Sequence, residues 1–116
     1  MKLIEEYRFG FIKVAGEIYQ HDLIITSNTI APRSDPSSHL LTLSTVKQAL
    51  SLEENVKALV VGNGESGVLQ LEEGIEDYLK EKGIELIVRE TQDALKDYND
   101  LAKKGVKVVG IMHLTC

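Results

Sequence analysis

A chain of 116 residues with 43% hydrophobic and 27% charged residues has the make-up of one ordinary globular domain. It is long enough to bury roughly two thirds of the surface its unfolded form exposes. A formal net charge of −5 excludes unspecific attraction to nucleic acid or anionic lipid, which rests on Lys and Arg displacing counterions from phosphate.

The single cysteine, Cys116, rules out an internal disulfide and agrees with a reducing compartment. No apolar run approaches the roughly 20 residues of a membrane span. Lys2, Glu5, Glu6, Arg8 and Lys13 interrupt the first apolar stretch, so it lacks the h-region of a signal peptide. The expected location is cytoplasmic.

In chain order, Arg8 to Val14 and Ile18 to Thr26 are rich in β-branched and aromatic types, with Ala15-Gly16-Glu17 as the turn, and predict an N-terminal β-hairpin. Ser27 to Thr42 holds both prolines, Pro32 and Pro36, and four serines, and reads as a long irregular loop. Thr42 or Ser44 then caps a short helix running to Leu50.

The remainder predicts a β-α-β-α-β segment: a strand at Ala58 to Val61, a helix at Glu72 to Lys82, a strand at Ile84 to Arg89, a helix at Gln92 to Lys104 and a last strand at Val106 to Met112. Gly83 and Gly105, each preceded by lysine, mark the helix stops. Thr91 is the expected N-cap of the second of these helices. Glu85 and Arg89 on one face put the strand Ile84 to Arg89 at or near a sheet edge, whereas the last strand, apolar on both faces after Lys107, belongs in the centre. Right-handed parallel crossovers bring Gly62 to Gly67 and Thr91 to the same sheet edge, where open α/β sheets bind ligands.

Gly62-x-Gly64-x-x-Gly67 spells the dinucleotide-binding fingerprint, but its context differs from such a site. A true site opens the helix within the turn, so that free amides face the pyrophosphate. Here Val68 to Leu71 intervene, and Glu65, Glu72 and Glu73 place carboxylates where phosphate charge would sit. The pattern reads first as a tight turn with close packing.

His113-x-x-Cys116 has a spacing used by metal sites, but two ligands do not make a site, and His21 and His39 would have to converge on it. Cys116 becomes a reactive thiol only if His113 lowers its pKa. His21-Asp22 reads as a polar turn. Ser66 lacks the nucleophile elbow and any evident base. No metal and no cofactor are expected.

Several segments in order, Arg8-Phe9-Gly10, Ile18 to Asp22, Val60 to Gly64, Thr91 to Ala94 through Tyr98-Asn99, and Met112 to Cys116, resemble a domain family of unknown function. That family includes mitochondrial complex I assembly factor three, the adipogenesis-associated Mth domain-containing protein and single-domain archaeal and bacterial members. The resemblance implies a three-layer α/β fold with a mixed central sheet and no established catalytic activity. Relatives usually show Gly-Thr-Gly where this chain has Gly62-Asn63-Gly64, and often an aromatic residue before the arginine matching Arg33. Ala31 and Pro32 depart from that pattern. A last strand antiparallel to its neighbours would carry His113 and Cys116 away from the glycine loop, and the two are accordingly treated as separate from the pocket.

The leading functional expectation is a non-catalytic interaction or assembly protein with a protein partner. The alternative is a small-molecule protein or enzyme, binding an anion or nucleotide, in which Gly62, Asn63, Gly64, Glu65 and Thr91 form the pocket and Arg33 clamps an anion from the loop. His113 and Cys116 are secondary candidates. Neither nucleic acid nor membrane is an expected partner.

Overall fold

Short β-branched runs at the start of the chain form more strands than the expected hairpin. In the computed structural model, which describes residues 1–116, β1 spans Ile4–Arg8, β2 Phe11–Val14, β3 Glu17–Tyr19, β4 Leu23–Ile25 and β5 Ile30–Pro32. Strands β1, β2 and β3 form an antiparallel sheet in that order. The β2–β3 turn is made by Ala15 and Gly16, at φ 50° and 85°, the consecutive positive φ values that match hairpin twist. The expected strand Ile18 to Thr26 is broken at His21-Asp22, and its second half leaves the hairpin for the central sheet.

Next come β6 (Leu40–Leu41), α1 (Leu43–Ser51), β7 (Ala58–Asn63), β8 (Gln70–Leu71), α2 (Ile75–Glu81), β9 (Glu85–Arg89), α3 (Thr91–Lys103) and β10 (Val108–His113). The central sheet has the order β5-β4-β10-β7-β9. Strand β10 is parallel to β7, and β7 to β9, while β4 runs antiparallel to β10 and β5 to β4. The sheet is therefore mixed, with the apolar β10 at its centre and β9 at its edge, as the residue patterns require.

Three layers result. On one face α3 and the small N-terminal sheet pack over Leu23, Ile25, Val60, Val108 and Met112, with Ile4, Ile12, Val14 and Tyr98 buried between. The Asn99 side chain holds β1 against α3 by exchanging two hydrogen bonds with the Ile4 main chain. On the other face α1 and α2 cover Ile24, Leu59, Val61, Val109 and Ile111 through Val46, Ala49, Ile75 and Leu79.

Three local expectations are corrected. The segment Ser27 to Thr42 is not irregular: it contains β5 and β6, the latter paired in parallel with β8. Helix α2 starts at Ile75 rather than Glu72, because Gly74 at φ 98° turns the chain into it; Glu72 instead accepts a hydrogen bond from Leu43 N at the start of α1. Thr91 is the first residue of α3 and Glu90 its N-cap, so the Thr91 hydroxyl does not cap the helix. Thr42 does cap α1, accepting from Thr45 N.

Candidate functional site

Because β7, β9 and β10 are parallel, the segments that follow them emerge on one rim of the sheet. These are Gly64 to Gly67, Glu90-Thr91 and Leu114 to Cys116. Thr91 joins all three. Its hydroxyl donates to the His113 carbonyl oxygen (2.7 Å) and accepts from Gly64 N (2.9 Å), while its own amide donates to Gly64 O (3.1 Å). Gly62 lies against it: a Cβ there would come within 2.8 Å of Thr91 Oγ1 and of Met112 Sδ. The separation of His113 and Cys116 from the glycine loop is corrected by the direction of β10, which runs parallel to β7 and brings both residues to the rim.

Three amides in and beside the glycine loop face the chain's own main chain. Glu65 N donates to Thr115 O (2.7 Å), and Ser66 N and Val68 N both donate to Cys116 O (3.1 and 3.0 Å). Gly64, at φ 105°, is where the tail crosses; a Cβ would lie 2.3 Å from the Cys116 carbonyl carbon. The close backbone approach that the glycine spacing suggested is real. What approaches is the segment after β10. Asn63 turns inward, and its Oδ1 is buried without a hydrogen-bond partner.

Arg33 is engaged just as fully. It donates through Nε and Nη2 to Asp22 Oδ2 (2.9 and 2.7 Å), through Nη1 to Asp35 Oδ2, and to the carbonyl oxygens of Ser38 and Leu40. Its side chain is 3% exposed, so the guanidinium is a buried staple for the segment 33–40 rather than an open anion clamp. Asp35 accepts from Thr42 N and from the Thr42 and Thr45 hydroxyls. Burial pushes its carboxyl up, but bonds from Thr42, Thr45 and Arg33 outweigh that and hold its pKa below the usual carboxylate value.

Asp22 links this staple to the rim. Its Oδ2 also meets His113 Nδ1 (2.7 Å), and its Oδ1 accepts from Leu114 N (2.9 Å). With Nδ1–H donating to Asp22, His113 Nε2 faces the Thr115 hydroxyl at 3.3 Å. The order is hydroxyl, imidazole, carboxylate, the arrangement of an oriented base. Two features close it: Arg33 shares the carboxylate oxygen, and His113 is 1% exposed. Tyr7 completes the rim, donating to Leu114 O (3.0 Å); burial, followed by the charges of Glu65, Asp22 and Cys116, pushes its pKa up to about 12.

Asp22, Asp35, Tyr7 and Thr115 were not singled out as a set by sequence reasoning. Asp22 read as a turn residue, and its signals are its place in the segment Ile18 to Asp22 that carries the family resemblance and a carboxylate directly before the apolar run Leu23 to Ile25. His39 stacks edge-on against His113 at 5.9 Å and His21 against Tyr19 at 6.0 Å. No group of three or more His, Cys, Asp or Glu side chains is placed to hold a metal ion.

A family model for proteins of unknown function, DUF498/DUF598, matches residues 4–113. The chain belongs to that family. Among solved structures it is similar to the conserved hypothetical protein PH1505 of Pyrococcus horikoshii OT3, with 31% identity over 97% of this chain and 98% of that one and a TM-score of 0.84. The protein MT938 matches over the full length of both chains at 22% identity, with a TM-score of 0.80. A Mth938-like domain of Bordetella pertussis, solved by solution NMR, matches at 20% identity over 97% of this chain and 85% of that one, with a TM-score of 0.73. Membership agrees with the resemblance carried by the segments from Arg8-Phe9-Gly10 to Met112 through Cys116, and the DUF498/DUF598 fold is the three-layer mixed sheet described above.

Two surface features bear on ligand and partner. A cavity of about 270 Å³ at the start of α2 is lined by Glu72, Glu73, Glu76 and Asp77, together with Leu71, Gly74 and Ile75, which makes it hostile to phosphate. On the rim, Phe9 and Val68 are 55% and 40% exposed. Both belong to segments tied to the same tail, through Gly10 N to Leu114 O (2.8 Å) and Val68 N to Cys116 O. No helix is long and apolar enough to cross a membrane.

Proposed function

We propose that this protein is a non-catalytic interaction protein whose rim, formed by Phe9, the tail Leu114 to Cys116 and the glycine loop through Val68, engages a protein partner. One observation carries the reading: apart from Asn63 Oδ1, the side-chain groups expected to bind a ligand, and three of the loop's amides, are engaged internally. The amides of Glu65, Ser66 and Val68 bond the tail, Arg33 bonds two carboxylates, and Thr91 bonds Gly64 and His113. What the rim leaves to solvent includes two large apolar side chains, Phe9 and Val68, the type of group that anchors protein interfaces.

The test is affinity purification from the native organism with wild type and the double variant Phe9→Ser/Val68→Ser, both verified as folded by circular dichroism. A protein retained by wild type and lost with the double variant supports the reading. Equal retention by both, or none by wild type, overturns it.

A second reading, small-molecule binding or catalysis at the same rim, rests on the Thr115–His113–Asp22 relay and on the orphaned Asn63 Oδ1. A thermal-shift screen of nucleotides, phosphate and organic acids addresses it. A ligand at 100 times its Kd stabilises by about 2.7 kcal/mol, and no shift across the screen would remove this alternative.

A further inference from the structure

The two edges of the central sheet differ. Strand β5 ends in Pro32, which offers no amide. Strand β9, Glu85-Leu86-Ile87-Val88-Arg89, pairs only with β7 and contains no proline or bulge; of the devices that blunt an edge it has its short length and the charges of Glu85 and Arg89. Glu85 N bonds Lys57 O, which sets the alternation along β9: Glu85, Ile87 and Arg89 point their main-chain groups at β7, and Leu86 and Val88 point theirs outward. Val88 is exposed, and beside the strand a cavity of about 380 Å³, lined by Glu85, Ile87, Arg89, Asp97 and Leu101 among others, leaves the α3 side of the edge uncovered.

The five residues are also complementary to their own reverse. In an antiparallel pair centred on Ile87, Glu85 lies opposite the second copy's Arg89, Leu86 opposite Val88, and Ile87 opposite Ile87. The outward groups of Leu86 then meet those of Val88, so this register also satisfies the hydrogen-bond alternation of an antiparallel ladder. Shifting it by two residues keeps that alternation but separates Glu85 from Arg89. Arg89 is half-exposed, and its guanidinium lies 3.4 Å from Asp97 and 3.9 Å from Asp93. These contacts hold it beside the strand, with donors left for a further carboxylate.

We propose that β9 is a self-association edge, through which two copies of this chain join about a twofold axis into one continuous ten-stranded sheet with two Glu85–Arg89 ion pairs across the junction. The occupant is a second copy because the charge order of the strand fits its own reverse, the self-complementarity that a twofold interface demands. This surface is distinct from the Phe9–Val68 rim, so the two readings stand or fall separately.

The test is analytical ultracentrifugation of the full chain across about 10 to 500 μM, a range suited to a small interface. Wild type is expected to dimerise with rising concentration. E85R sets two guanidinium groups against each other at both ends of the junction, and R89E sets two carboxylates against each other there; each variant alone is expected to stay monomeric. An equimolar mixture of E85R and R89E restores both ion pairs and is expected to form a heterodimer. V88P removes an outward amide that has no partner within the chain, and is expected to be a folded monomer by circular dichroism. A wild type that is monomeric throughout overturns the proposal, as does a dimer that survives in E85R and V88P, or a mixture that fails to associate.

Discussion

Gly64 and Cys116 are in main-chain contact: a methyl group built on Gly64 would lie 2.3 Å from the Cys116 carbonyl carbon and 2.5 Å from its oxygen. The glycine loop is thus a seat for the segment that follows β10. Its amides and that segment's carbonyl oxygens satisfy one another, and rim geometry depends on the absence of a side chain at position 64.

Gly64→Ala is therefore expected to destabilise more than Gly67→Ala. Both positions have positive φ, at 105° and 72°, but a Cβ at Gly67 meets only the Asn63 side chain, at 3.5 Å. Backbone strain alone costs about 1–3 kcal/mol, and at Gly64 displacement of the tail adds to it. Chemical denaturation gives the ranking. Hydrogen exchange at Glu65, Ser66 and Val68 should accelerate in Gly64→Ala alone.

Thr91→Val is expected to cost about 1–3 kcal/mol, because it leaves Gly64 N and His113 O buried without their partner. Thr91→Ser keeps the hydroxyl and should lose only the small contribution of a methyl group. Equal losses in urea unfolding would mean that the methyl, and not the bridge, holds the rim together.

Arg33→Ala removes the cation between the buried carboxylate of Asp35 and the partly buried one of Asp22, and is expected to destabilise by about 3 kcal/mol. Arg33→Lys should recover part of this, since a point charge cannot reproduce the fork that spans both acids. Comparison of unfolding midpoints for the two variants checks the order.

Asp35 has a folded pKa below its unfolded value of 3.8. Its contribution to stability is fully present above the unfolded value and is lost as pH falls through the folded one. Asp35→Asn should therefore be less stable than wild type near pH 7, and the gap should narrow as pH falls below 3.8. A gap that stays constant across that range would show that the loss comes from packing and not from charge.

How much of this was legible in the residues differs from element to element. The segment Val106 to Leu114, apolar on both faces after Lys107, was expected in the centre, and β10 is there; Glu85 and Arg89 beside Leu86 and Val88 placed their strand at or near an edge, and β9 is at one. Gly83 and Gly105, at φ 70° and 82°, follow the helices they were expected to end. Such features are local, because periodicity, helix stops and edge polarity depend on a residue and its near neighbours in the chain. The nearness of Gly62 to Thr91 was also readable, since parallel crossovers leave one arrangement.

The remainder required contacts distant along the chain. The segment Ser27 to Thr42 has no periodic pattern, and its conformation is decided by Arg33 between Asp22 and Asp35, together with the pairing of Leu40-Leu41 with Gln70-Leu71. Asp22 and His113 are 91 residues apart and meet because β4 and β10 are neighbours, a pairing that no local rule assigns. Periodicity and helix-stop signals by themselves determined the alternation of strands and helices after Ala58 and the common rim of the Gly62 turn and Thr91, because both depend on near neighbours and on the hand of parallel crossovers. The mixed three-layer sheet was implied by the family resemblance. Tertiary structure alone decided that the glycine loop's amides and the Arg33 guanidinium are satisfied from within, because a buried polar group takes whichever partner the folded chain brings to it.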